Sequence, residues 1–106
     1  MRKISFLATL LVVSGCVSLT PIAPSPAAAA IRDADENMVT KCNYVGLVTG
    51  SSSLGGPGQD TGRANAQTAV REQAAKLGAT HIVWSTVYSS WQGGAGAQGK
   101  AYRCAT

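Results

Sequence analysis

The chain has 106 residues, of which 13% are charged, enough for one small domain and no more. Its formal charge of +4 overstates the basicity of any folded part, because Arg2 and Lys3 belong to the first few residues and beyond them seven basic residues face five acidic ones. With no basic cluster there is no electrostatic footprint for nucleic acid, and a core this small calls for covalent support.

Taken in chain order, Arg2 and Lys3 form a positive n-region, and Ile4 to Val13 form an apolar run of export-signal length, too short to stay across a bilayer. Val13-Ser14-Gly15-Cys16 then resembles the lipobox of bacterial lipoproteins. The resemblance implies that residues 1–15 are a signal peptide and that Cys16 is acylated and becomes the first residue of the mature chain. Several acyl chains on one residue anchor stably where a single chain does not. In such lipoproteins an Asp after the cysteine retains the chain at the inner membrane; Val17 stands here, which implies an outer membrane location with the head in the periplasm. A second route stays open: the apolar region runs on to Leu19 and cleavage after Ala30 releases a soluble periplasmic ligand- or metal-binding module.

Residues 16–37 contain Pro21, Pro24, Pro26 and an alanine run, with neither helical nor strand periodicity. They read as a tether, which as polyproline II would reach on the order of 60 Å. A short helix over Ala27 to Ile31 is the competing reading, given alanine's propensity.

Residues 38–106 form the expected head. "KCNYVGLVTG" reads as a strand with apolar groups on both faces, and "SSSLGGPGQDTG" as a loop before a helix capped by Asp60 or Thr61. In that helix Ala66, Val70, Ala74 and Leu77 share one stripe, Arg71, Glu72 and Lys76 lie off it, Glu72 and Lys76 are spaced as an i, i+4 pair, and Gly78 is the stop. "THIVWSTVYSSW" is the clearest strand, with Ile82, Trp84, Thr86 and Tyr88 on one side and His81, Val83, Ser85 and Val87 on the other. A mobile turn, "QGGAGAQG", and a short last strand, "KAYRCAT", complete the order β, α, β, β.

A helical crossover makes the first two strands parallel and the closing hairpin makes the third antiparallel. Cys42 at the start of the first strand and Cys104 at the end of the last then lie at one end of the sheet. A disulfide requires Cα atoms about 4.4 to 6.8 Å apart, close to the spacing of adjacent strands. The expectation is therefore an α+β fold, a split β-α-β(-β) head with one helix on a three-stranded sheet of order 1-3-2 and a Cys42–Cys104 disulfide formed in an oxidising compartment. The rival uses of the pair are weaker: His81 is the lone histidine to complete a metal site, and redox couples usually sit close in sequence.

"CNYVGLVTG", "ANAQTAVREQAAKLGATHIVW" and the closing "GKAYRC" together resemble small bacterial lipoproteins that carry a domain of unknown function. The similarity runs from about Lys41 to Cys104. More distantly the layout is similar to RcsF-like outer-membrane lipoproteins, in which a lipidated cysteine and proline-rich tether precede a disulfide-bonded α+β head. That head uses four cysteines, against Cys42 and Cys104 here. Neither resemblance brings catalytic residues.

The remaining motifs point away from enzymes. "GSSSLGGPGQDTG" fits no phosphate-loop spacing, and Ser51, Ser52 and Ser53 lack a base. His81 reads as an ordinary strand residue, and Trp84 and Tyr102 as core aromatics under the helix. Trp91, between Ser90 and the glycine-rich turn, is the one candidate partner contact, with folding back over the sheet as its alternative. The sequence thus points to a non-enzymatic envelope lipoprotein with a structural, stress-sensing or protein-binding role, without cofactor or metal, whose partners are a membrane through its acyl chains and another envelope protein.

Overall fold

The structure, a computed structural model, describes residues 20–105; Cys16 and the expected signal segment lie outside the described residues. The elements in order are α1 (Pro26–Ala29), β1 (Arg32–Asp33), β2 (Asn43–Ser52), a 3₁₀ turn at Gly56–Gly58, α2 (Gln59–Lys76), β3 (His81–Ser90) and β4 (Gly94–Arg103). The architecture is α+β, with one main helix on a mixed four-stranded sheet of order β1-β3-β4-β2. The expected three-stranded sheet gains a strand because Arg32–Asp33, inside the supposed tether, pairs in parallel with His81 and Ile82.

The largest departure from expectation is β4. The stretch "QGGAGAQG", expected as a mobile turn, enters the strand at Gly94, and Gly94 to Ala97 are all buried. Its small residues are what the position demands. β4 is central, paired antiparallel with β2 on one side and β3 on the other, while α2 packs across it. Ala95, Ala97 and Ala101 join the core with Val48, Ile82, Ile31 and the helix residues Ala66, Val70 and Ala74. On the opposite face the Tyr88 ring lies so close over Gly96 that an added Cβ would meet it at 2.5 Å.

Two details of α2 differ from the sequence reading. Its N-cap is Gly58 with no side-chain cap, so Asp60 acts in the first turn, where a negative charge suits the helix dipole. Gly62, Ala66, Val70 and Ala74 are buried, whereas Leu77 is 43% exposed. The stop is as read: Gly78 adopts φ +75°, and the pair Ala79 N–H to Ala74 C=O and Gly78 N–H to Ala75 C=O closes the helix in a Schellman turn.

In β3 the strict alternation fails at an irregularity between Trp84 and Thr86. One extra residue reverses the sidedness of the rest of the strand, so Trp84 and Val87 both pack against the core while Thr86 and Tyr88 turn to the outer face. Tyr102 is on that outer face as well, by alternation from buried Ala101, and meets Tyr44 edge-on at 5.5 Å. It is not a core aromatic under the helix.

Helix and sheet approach closely because Gly50 faces Ala66. A Cβ at Gly50 would collide with the Ala66 carbonyl oxygen and lie 2.9 Å from the Ala69 Cβ. Gly50→Ala should therefore lower stability by about 1–3 kcal/mol, seen as an earlier denaturant midpoint at unchanged slope. Ser51→Ala, on the exposed neighbour, should leave the midpoint in place.

Candidate functional site

Residues expected to hang free as a tether are bound along α2. The backbone N–H of Ile22 donates to Asn65 Oδ1 at 2.8 Å. Seven positions further along the helix, Glu72 accepts from the Ser25 N–H at 2.7 Å and from its hydroxyl at 2.9 Å. Ser25 Oγ in turn accepts the Ala28 N–H as N-cap of α1. Arg71 then fastens β1: its guanidinium donates to the Ile31 carbonyl at 3.0 Å and to Asp33 Oδ1 at 2.6 Å, and lies 5.5 Å from the centre of the Trp84 ring. The Trp84 indole N–H donates to the same Asp33 oxygen at 2.9 Å. Ala28 and Ile31 are buried as a result.

Beyond β1 the chain crosses to the far edge of the sheet over the face opposite α2, where Lys100 Nζ meets Glu36 at 3.2 Å. Val39 in this crossing and Val83 are both buried. The crossing ends at Cys42, whose bond to Cys104 spans 62 positions with Cα atoms 4.4 Å apart. The two cysteines continue the Asn43–Arg103 pairing by one step, so the bridge joins the sheet's edge strand to its central strand.

Beside the bridge lies an open groove of about 560 Å³, lined by four alanines with Ile31, Arg32, Thr80, His81 and Cys104. Its chemistry is limited. Thr80 Oγ1 accepts the Cys104 N–H at 2.8 Å, and its own proton is directed at His81 Nδ1, 2.8 Å away, or at the Tyr102 carbonyl at 3.4 Å. That hydroxyl is committed to holding the strand ends together, and the only histidine is committed to the hydroxyl. Among the described residues no cluster of three or more His, Cys, Asp or Glu can hold a metal ion.

The opposite end of the head carries Trp91. It stands in the turn between β3 and β4 and is 63% exposed. The Trp91 carbonyl accepts the Gly56 N–H at 2.6 Å, and its ring rests beside Gly56, 3.9 Å from where a Cβ would be. The turn and the glycine-rich loop are thus locked together, with the indole outermost. Nearby on the outer face a shallow depression of about 210 Å³ lies among Thr49, Thr86, Tyr88 and Gln98. Tyr88 and Leu47 are both more than half exposed.

No family model, no curated protein and no solved structure matches the chain.

Of the residues singled out from sequence, the structure joins Cys42 to Cys104 and exposes Trp91 at the tip, while Cys16 lies outside the described residues. The arm-binding set Asn65, Arg71, Glu72, Asp33 and Ser25 carries no motif. The one signal in the sequence was the presence of the charged groups Arg71 and Glu72 off the apolar stripe, and Glu72 is hydrogen-bonded to Ser25 while also feeling the charge of Lys76, its expected i, i+4 partner.

Glu72 is held below the ordinary carboxylate value of 4.5, first by the Ser25 N–H and then by its hydroxyl. A carboxylate depressed in the folded chain adds stability above its unfolded pKa and loses it as pH falls through the folded one. The arm should therefore loosen only as pH falls below 4.5, seen as a lower protection factor for the Ala28 amide, its exchange compared with the intrinsic rate at each pH. Glu72→Gln should flatten that dependence. Excess reductant should lower the melting temperature on the order of 20 °C, because closing a loop of this length contributes roughly 4 kcal/mol; an unchanged melt would show that the bridge is idle.

Proposed function

We propose that the chain is a non-catalytic lipoprotein of the cell envelope, acylated at Cys16, anchored in the outer membrane and carrying its disulfide-bonded head in the periplasm. There it serves a structural, stress-sensing or protein-binding role. The observation that carries this reading is the burial of Ala28 and Ile31 in an arm fastened to α2. Cleavage after Ala30 would remove α1, strip Ser25 from Glu72 and open the core beside Ile31. Cleavage before Cys16 keeps the entire arm. The fold therefore favours the lipidated route over release of a soluble module.

Two further features support the reading. The Cys42–Cys104 bond belongs to an oxidising compartment. Large side chains, Trp91, Tyr88, Tyr44 and Leu47, stand exposed, which suits a surface that touches something, whereas the imidazole of His81 is engaged by Thr80.

Mass spectrometry of the mature protein, with metabolic labelling by a clickable palmitate analogue, tests the proposal. The expected result is a chain that begins at an acylated Cys16, with label lost in Cys16→Ser. An unmodified chain beginning at Ile31 would end the lipoprotein reading.

A further inference from the structure

The start of the bound arm and the exposed indole belong to the same end of the head. Residues 22–25 run in the same direction as α2, from Ile22 at Asn65 to Ser25 at Glu72, so the chain ahead of Ile22 leads toward the helix N-terminus. Asn65 is six residues from the helix start at Gln59, about 9 Å along the axis. That end also holds the Gly56–Gly58 turn, and Trp91 is bonded to it through Gly56. Cys16 precedes Ile22 by six residues, a span of roughly 20 Å even when fully extended. The leash is thus about a third of the length that a free tether from Cys16 to Asn37 would give.

We infer that the head does not stand away from the bilayer: it rests on it, tip first, with the Trp91 indole among the lipid headgroups. This rests on acylation of Cys16 as proposed above. Tryptophan suits that depth, having an apolar body and one polar N–H. Asp60 and Arg63, the exposed charges near the tip, are of opposite sign, so the contact needs no anionic lipid. Ile22, 64% exposed on the same flank, adds apolar surface.

The second tryptophan is an internal control. Trp84 lies seven residues back along β3, about 23 Å at strand rise, and is engaged by Asp33 and Arg71. The test uses mature protein extracted from envelopes in detergent and reconstituted into phosphatidylethanolamine–phosphatidylcholine vesicles with brominated acyl chains. Trp91 emission should shift to the blue and be quenched in Trp84→Phe, while the remaining Trp84 in Trp91→Phe stays unquenched. The unsubstituted protein, carrying both, should lose an intermediate share of its emission, which gives a readout even if Trp84→Phe fails to fold. Protein that floats with the vesicles yet shows no quenching of Trp91 overturns the docking and leaves the anchor standing. Trp91 found shielded by a crosslinked protein partner, without quenching by lipid, overturns it in favour of that partner. A chain without acyl groups that does not float removes both readings.

Discussion

The guanidinium of Arg71 is the group on which the shape of this protein turns. It reaches from the middle of α2 to a backbone carbonyl at Ile31 and a carboxylate at Asp33, and sits over the Trp84 ring. Charge-assisted bonds of this kind are stronger than neutral ones, although the partial exposure of Asp33 tempers the ion pair. The consequence is topological. With Arg32–Asp33 held against β3, the sheet acquires a fourth strand, Ile31 enters the core, and the chain must cross the outer face to reach Cys42 at the other edge. Covalent bridge and arm clamp therefore close the same loop of chain from its two ends.

Packing of α2 on the sheet follows a second constraint, the near absence of large side chains between them. Val70 and Ile82 are the largest fully buried groups, and apart from Val48 and Ile31 the buried core is alanine. Small residues bring helix and sheet backbones close, which leaves little apolar area per residue to bury. A domain built this way depends more than most on its hydrogen-bonded arm and on its disulfide, the support that a small core calls for.

The parts of the fold legible in the sequence are those with local periodicity or with a covalent requirement. The stripe Ala66, Val70, Ala74, the Gly78 stop, the β-branched run at His81–Ser90 and the pairing of Cys42 with Cys104 all follow from spacing and residue type. Gly94–Gly99 was opaque because glycine and alanine are turn and helix residues by propensity; only the closeness of Tyr88 and α2 makes them fit a central strand. The side reversal at Trp84–Thr86 has no composition signal of its own. The arm was hidden for a different reason. Its order comes from single hydrogen bonds to residues about forty or more positions away, such as Ser25 to Glu72, and contacts of that range leave no period to read. Of the candidate site, Trp91 was legible from its position beside a glycine-rich turn, but its proximity to the chain leading to Cys16 depends entirely on the arm.

If residues 22–33 belong to the folded head, the folded part begins at Ile22, six residues after the proposed anchor at Cys16. Amide hydrogen exchange tests that membership most directly, because the Arg32 N–H is bound to the Thr80 carbonyl at 3.0 Å and the Ala34 N–H to the Ile82 carbonyl at 2.9 Å. The account predicts that these two amides exchange as slowly as those in the centre of β4 and that Arg71→Met releases them while β4 stays protected. Exchange of Arg32 and Ala34 at the rate of an unstructured peptide in the unsubstituted protein would contradict it.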